Sequence, residues 1–269
     1  MNTNPLALAR DFIPPIVFRL YRKAAGQSLF KGNYATWEEA RRESGGYDSG
    51  LILNKVRDSL LKVKNGEAVY ERDSVLFEKV QYSWPLLAGL QWIASQKENR
   101  LNLVDFGGSL GSSYFQNRKF LVHLKELKWN IVEQIKFVDC GKRDFEIDHL
   151  KFYYDLDACF REQHPDTILF SGVIQYLEDP YGMLEKAKSL GFEFVLFDRT
   201  PFLEKGGDRI TIQKVPDRIF PASFPCWFLS QERFLETMGD RYELFADFES
   251  FDRADLQDSV FKGFIFRRK

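Results

Sequence analysis

Leu101-Asn102-Leu103-Val104-Asp105-Phe106-Gly107-Gly108-Ser109-Leu110-Gly111 is the stretch that decides the fold. Its first half is a short apolar run suited to a buried strand, and the glycines that follow dictate a tight turn. A helical pattern is expected next, from about Ser113 to Leu127. Strand, glycine turn and helix in that order make the first βα unit of a nucleotide-type sheet. A side chain in such a turn would keep the backbone from approaching a ligand, and the next helix offers unpaired N–H groups at its positive end. Gly107, Gly108 and Gly111, with Asp105 before them and Ser109 between, are therefore candidate cofactor-binding residues.

Working outward, further strands are predicted at Trp129–Glu133, Leu150–Tyr154, Thr167–Ser171 and Phe194–Asp198, with helical patterns between most of them. That alternation implies an α/β fold with a parallel, doubly wound sheet. Tyr242–Phe248 and Val260–Arg267 follow a helix that Ser230 can cap, and a polar loop with Asp252, Asp255 and Asp258 joins them. They are expected to close the sheet as an antiparallel pair. Residues 200–230 are aromatic and proline-rich without periodicity, and read as a lid or substrate loop. Within it Phe220, Phe224, Trp227 and Phe228 could stack on a sugar face or serve as core filler. On the other side, Tyr47 to about Arg100 reads as helical throughout, with no strand, and Thr36 with Glu39 forms a capping box. The expected organisation is a helical N-terminal extension over 1–98 and a sheet domain over 99–269.

Composition bounds the function. Apolar residues at 44% and charged residues at 29% fit a soluble globular protein, and 26 Phe suggest an aromatic interior or cleft. The net charge of -1 gives no global field for nucleic acid, which is not an expected partner. Cys140, Cys159 and Cys226 are too scattered for a disulfide framework or zinc site and read as packing residues. No secretory signal or span of about 20 apolar residues is evident, so a cytoplasmic protein is expected. The mixed basic and apolar run Phe12–Lys23 could form an amphipathic helix, either packed on its own domain or touching the inner membrane peripherally.

Several side chains then become site candidates. Glu133, at the end of the second predicted strand, lies 22 residues after Gly111, near the spacing of a ribose-binding carboxylate. Asp139 competes for that role if the strand is instead Ile135–Val138. Asp155 and Leu156, after the third strand, have the acid and apolar residue needed to take an adenine amino group and cover the ring, while Asp157 is suited to capping the next helix. Ser171 ends the fourth strand. Beyond strands four and five lie Tyr176, Glu178, Asp179, Asp198 and Arg199. Asp198 could accept a hydroxyl proton and Arg199 could hold a phosphate or carboxylate, or the two could form a surface ion pair. Asp179, before Pro180, reads as a turn or cap. Tyr34 and Trp37 could close the pocket, with Trp227 from the lid. His123, His149 and His164 read as structural, and no metal is expected.

Leu103–Gly111 resembles motif I of class I S-adenosylmethionine (SAM)-dependent methyltransferases, and Ser171–Pro180 resembles the segment after their fourth strand. Gln175 and Tyr176 stand where that segment usually carries histidine, which puts a histidine base in doubt. The Phe30–Ala40 segment, Gln175–Tyr181 and Asp198–Phe202 further resemble a methyltransferase family associated with bacterial surface-polysaccharide and lipopolysaccharide loci. The resemblance implies a Rossmann-like sheet with an antiparallel last strand, SAM as cofactor, and a small-molecule or glycan acceptor methylated on a sugar hydroxyl. Such a transfer is an in-line displacement, so alignment supplies much of the catalysis. Two rivals are a sugar oxidoreductase, disfavoured by the lack of G-x-G-x-x-G and of a Tyr-x-x-x-Lys pair, and a noncatalytic scaffold of the same fold. Oligomeric state is not legible.

Overall fold

A computed structural model of the chain describes residues 29–46, 49–72, 75–216, 222–254 and 256–269. The Phe12–Lys23 segment, Phe220 and Asp255 lie outside the described residues. The parallel core is built from β4 (Arg100–Phe106), β5 (Glu126–Val132), β6 (Leu150–Tyr153), β7 (Thr167–Ser171) and β8 (Phe194–Leu203). β11 (Tyr242–Glu249) and β12 (Ser259–Arg268) complete it, in the spatial order β6-β5-β4-β7-β8-β12-β11. β12 runs antiparallel to both β8 and β11. The expected closing pair is therefore present, with the last strand inserted between β8 and β11. Chain order reverses between β4 and β7, the switch point at which open α/β sheets leave a crevice.

The strands bury both faces, which is why they read as apolar runs. Leu103, Ile131, Leu169, Leu196 and Ile265 face α2 (Ser49–Lys64), α3 (Trp84–Gln96), α4 (Ser112–Asn117) and α5 (Ile135–Asp144). Their neighbours Val104, Ile168, Phe170, Val195, Phe197 and Phe264 face α6 (Leu156–Gln163), α7 (Pro180–Leu190) and α8 (Gln231–Gly239). The helix starts follow local chemistry. Thr36 caps α1 (Trp37–Glu43) at the Glu39 N–H, and Glu39 reaches back to the Ala35 N–H; Asp179 caps α7 and Ser230 caps α8.

Three expectations are corrected. The helix after the glycine turn is short: α4 ends at Asn117, whose buried side chain donates to the Ser113 carbonyl, and a single 3₁₀ turn, Arg118–Phe120, leads toward β5. The Tyr47–Arg100 region is not wholly helical, because β2 (Tyr70–Arg72) and β3 (Val75–Phe77) form a hairpin whose strands are too short to show alternation. Residues 200–230 are not an irregular lid. β8 continues to Leu203, and β9 (Arg209–Lys214) and β10 (Ser223–Ser230) form an antiparallel pair extended by β1 (Phe30–Tyr34). β10 escapes sequence reading because Pro225, Cys226, Phe228 and Leu229 are all buried, which erases the period of two. Pro225 is tolerated because β10 pairs with β8 only at Leu229 and Ser230.

Gly263 sits where β12 changes register against β8. A Cβ there would stand 2.1 Å from Phe248 Cζ and 2.6 Å from the Phe197 carbonyl oxygen, and a backbone oxygen in a central strand cannot yield as a flexible side chain could. We expect Gly263→Ala to cost about 1–3 kcal/mol, the usual range for overpacking. Urea unfolding checks this, and an unchanged midpoint would contradict the packing.

Candidate functional site

At the carboxyl end of β4 the chain turns through Gly107, whose φ of 69° is left-handed. A Cβ at Gly107 would stand 2.2 Å from Val173 Cγ2, and one at Gly108 would stand 2.5 Å from the Asp105 carboxyl carbon. The turn thus needs glycine for both conformation and space. Ser109 is also left-handed, and Gly111, at φ 102°, is the N-cap of α4. Asp105 lies under the turn at 1% exposure. Trp129 Nε1 donates to Asp105 Oδ2 at 3.0 Å, while Oδ1 has no partner among the described residues. Burial is the dominant effect on this carboxyl and pushes it up to about 7.

β5 ends at Val132, so Glu133 is the acid at its carboxyl end. The Glu133 carboxylate accepts the Gln134 N–H at 2.6 Å. Burial raises its pKa, and the nearby backbone N–H groups of Gln134 and of Ser109 in the glycine turn oppose the rise. Asp139 instead lies within α5, where it accepts the Tyr154 hydroxyl at 2.8 Å. The cap of α6 is a correction: Asp155 fills it, with Oδ1 accepting the Ala158 N–H at 2.7 Å, whereas Asp157 pairs with Lys186. Leu156 is buried in the second core.

Beyond β7 and β8 a cleft is lined by Ser171, Asp198 and Arg199, by Ser112 and Ser113 of α4, and by Tyr70 and Arg72 of the β2–β3 hairpin. Asp198 is 2% exposed, and its carboxyl is raised by burial. Ser250 clips the pair of candidates together: its Oγ donates to Asp198 Oδ1 at 3.2 Å and accepts the Arg199 N–H at 3.1 Å. Arg199 is left-handed, at φ 56°, and its Nε donates to Asp252 at 2.7 Å. The acid with which the Arg199 side chain pairs is thus Asp252, from the β11–β12 loop, where the sequence suggested Asp198. Gln175 Nε2 donates to the Arg199 carbonyl, and Gly172 N–H to the Asp198 carbonyl.

Tyr176 is not among the residues lining this cleft; its hydroxyl donates to Gln213 of β9 at 2.7 Å, and its ring meets Phe224 edge to face. Trp37 and Trp227 do come together, with centroids 6.1 Å apart and planes 14° from parallel, and Trp227 Nε1 donates to the Leu177 carbonyl. Tyr34 is turned to Glu43, donating at 2.9 Å. Phe228 is core, packed against Phe30 and Phe261. Sequence reasoning missed Glu71, 2% exposed, which accepts the Ser112 hydroxyl at 2.6 Å, and it missed Arg72, Gln81 and Ser250. Only Ser112 and Ser113, directly after the glycine turn, carried a signal by position.

A cavity of about 510 Å³ lies at the opposite, amino-terminal ends of the strands, lined by Lys97, Arg100, Asp166 and Glu193 among others. Lys97 there pairs with both Asp166 and Glu193. Open α/β sheets bind ligands at the carboxyl ends, so the cleft is the candidate site. Among the described residues no group of three or more His, Cys, Asp or Glu could hold a metal ion, and no helix is long and apolar enough to cross a membrane.

No protein-family model matches the chain, and no curated protein matches it in sequence. Solved structures do resemble it. The N-terminal domain of EvdMO1, determined in the presence of S-adenosylhomocysteine (SAH) and D-fucose, has a TM-score of 0.50 at 10% identity, covering 83% of this chain and 98% of that one. Magnesium protoporphyrin IX methyltransferase (ChlM) from Synechocystis PCC 6803, with bound SAM, has a TM-score of 0.44 at 12% identity, covering 100% and 99%. The glycopeptide N-methyltransferase MtfA, complexed with sinefungin, has a TM-score of 0.45 at 10% identity, covering 68% and 86%. The likeness is one of fold: a mixed α/β, mostly parallel sheet of the Rossmann-like class I methyltransferase type.

The buried Asp105 has a measurable signature. An unfolded aspartate titrates near about 3.9, and the folded one at about 7. Between these values the folded chain keeps a proton that the unfolded chain has lost, so this group's contribution to stability falls as pH rises through that window and levels above it. Asp105→Asn leaves an oxygen for Trp129 and removes the titration. Urea unfolding from about pH 4 to about pH 8 should show a smaller loss of stability in the variant; the same loss in both proteins would contradict the assignment.

Proposed function

We propose that this protein is a SAM-dependent methyltransferase that methylates a hydroxyl of a sugar in a bacterial surface glycan or its precursor. One observation carries the reading: at the carboxyl ends of β4 and β5, Glu133 stands beside the backbone amide of Ser109 in the Gly107–Gly111 turn, joining a ribose-binding acid to a glycine turn. The residues present fit the donor. Gly107 and Gly108 let the turn lie closely over Val173 and Asp105, and Glu133 can take the ribose hydroxyls. Asp155, capping with Oδ1, can offer its other oxygen to the adenine amino group, beside Leu156. Ser171 completes the donor set at the end of β7, and the unpartnered Oδ1 of Asp105 provides a buried acceptor beneath a cationic ligand.

When bound, SAM supplies a methyl group on a sulfonium. The chain's part is to align the acceptor hydroxyl and take its proton. Asp198 is the residue we assign as base: it lies in the cleft, and burial raises its proton affinity. Arg199, held by Asp252, is assigned to the acceptor's polar groups, and Trp37 with Trp227 and Tyr34 to an aromatic wall on its sugar side. Tyr176 keeps a secondary place, as a link between the cleft segment and the β9–β10 pair. The division expected at 98/99 is not kept by the described residues, because β1 joins the sheet beside β9, and it is the β2–β3 hairpin that we assign as a cap at the cleft. The presence of D-fucose with the EvdMO1 domain supports a sugar as acceptor class.

Isothermal titration with SAH tests the donor site. The wild type should bind with micromolar affinity, Gly107→Arg should abolish binding, and Glu133→Ala should weaken it about tenfold or more, the loss of at least one hydrogen bond to a charged group. No binding by folded wild-type protein would overturn the reading. Catalysis is tested separately, by transfer of label from SAM to a cell-envelope extract. Asp198→Asn should bind SAH normally and transfer about a hundredfold less label, in the range of general-base effects. Donor binding without any transfer by the wild type would favour the noncatalytic scaffold.

A further inference from the structure

The segment Gln81-Tyr82-Ser83-Trp84 leads into α3, which begins at Trp84. Gln81 and Ser83 line the cleft. Tyr82 and Trp84 instead gather with Phe120 from the 3₁₀ turn after α4. The centroids of Tyr82 and Trp84 are 4.8 Å apart, those of Tyr82 and Phe120 5.2 Å, and those of Trp84 and Phe120 5.6 Å. The two segments are fastened together, since Gln116 Nε2 donates to the Gln81 carbonyl and Gln91 Nε2 to the Phe120 carbonyl. Three aromatic rings packed on each other would normally be core, yet Trp84 is 55% exposed and Phe120 37%, and Val122 in the following turn is 82% exposed. Scattered exposed apolar residues need no explanation, but a contiguous tip of this kind marks a contact surface.

The charge around the tip says which surface. Lys79, Arg118, Lys119 and Lys125 flank it in sequence, and Lys119 and Lys125 are exposed. No described carboxylate forms an ion pair with Lys79, Lys119 or Lys125. Of the nearby acids, Glu126 is held by Arg100 and Lys128, and Glu78 is exposed beside Lys79. Exposed rings flanked in sequence by lysines that no described carboxylate pairs fit the boundary between acyl chains and anionic headgroups. We infer that the Tyr82–Trp84–Phe120–Val122 tip is a docking surface for an anionic bilayer. Because Gln81 and Ser83 belong to the same segment, docking there holds the cleft mouth at the membrane surface. The inference does not depend on which reaction the cleft performs.

Co-sedimentation of the full chain with vesicles is the test, using phosphatidylcholine alone and phosphatidylcholine containing a quarter phosphatidylglycerol. Wild-type protein should partition onto the anionic vesicles and hardly onto the neutral ones. Each basic side chain near such a surface is worth about a factor of five in partitioning. Trp84→Ala/Phe120→Ala should lower partitioning about tenfold, and Lys119→Glu/Lys125→Glu more, with unfolding midpoints near wild type because these side chains are exposed. Absence of vesicle binding by the wild type would overturn the inference. So would wild-type binding by the aromatic double variant, which would move the contact elsewhere in the chain. A wild-type dimer in sedimentation velocity that the aromatic variant dissolves, without vesicle binding, would give the tip to a second copy instead.

Discussion

A carboxyl group buried beneath a glycine turn is the constraint from which the site is built. Asp105 cannot be solvated, and its one neighbour with a hydrogen to give is Trp129, from the adjacent strand. The indole therefore ties β4 to β5 at the level where both strands end, and Gly108 must lack a side chain for the turn to lie on the carboxyl group. Burying a carboxylic acid with one oxygen unpartnered is costly unless the group stays protonated or meets a cation. The fold tolerates that cost beneath the turn that follows β4.

A second constraint acts at β8. Its first half pairs in parallel with β7 and its end lies beside β10, while β12 runs antiparallel along both halves with a change of register between them. Between the halves, Arg199 adopts a left-handed conformation, which a non-glycine residue takes only when its surroundings hold it there. Those surroundings are Ser250, Asp252 and Gln175, all bound to Arg199 through backbone or side chain. The bend in β8 and the presentation of Asp198 are one structural fact. The β2–β3 hairpin, outside this sheet, then walls the cleft with Tyr70 and Arg72, while β1, β9 and β10 extend the sheet beyond β8.

How much of this was legible in the sequence follows from range. The turn at Gly107–Gly111, the acid at Glu133 and the strand ends at Ser171 and Asp198 are local signals, each a few residues from the feature that explains it, and the structure brings them to the same end of the sheet. The order of strands could be anticipated because apolar runs alternate with helical periods. What escaped depends on distant partners. β10 is buried on both faces and shows no alternation, β2 and β3 are three residues each, and Glu71 acquires meaning only when Ser112 stands beside it. The cap of α6 was read at Asp157 and is Asp155, because the helix starts two residues earlier than its apolar pattern suggests. Tyr176 looked like a cleft residue by chain position, but a single 3₁₀ turn carries its hydroxyl to Gln213.

The most direct measurement is a crystal structure of the protein grown with SAH. The account predicts the nucleoside across the carboxyl ends of β4 and β5, with its ribose hydroxyls within hydrogen-bond distance of Glu133 and its amino-acid end over Gly107–Gly111. A nucleoside bound elsewhere, or crystals grown at saturating SAH with the glycine turn bare, would contradict it.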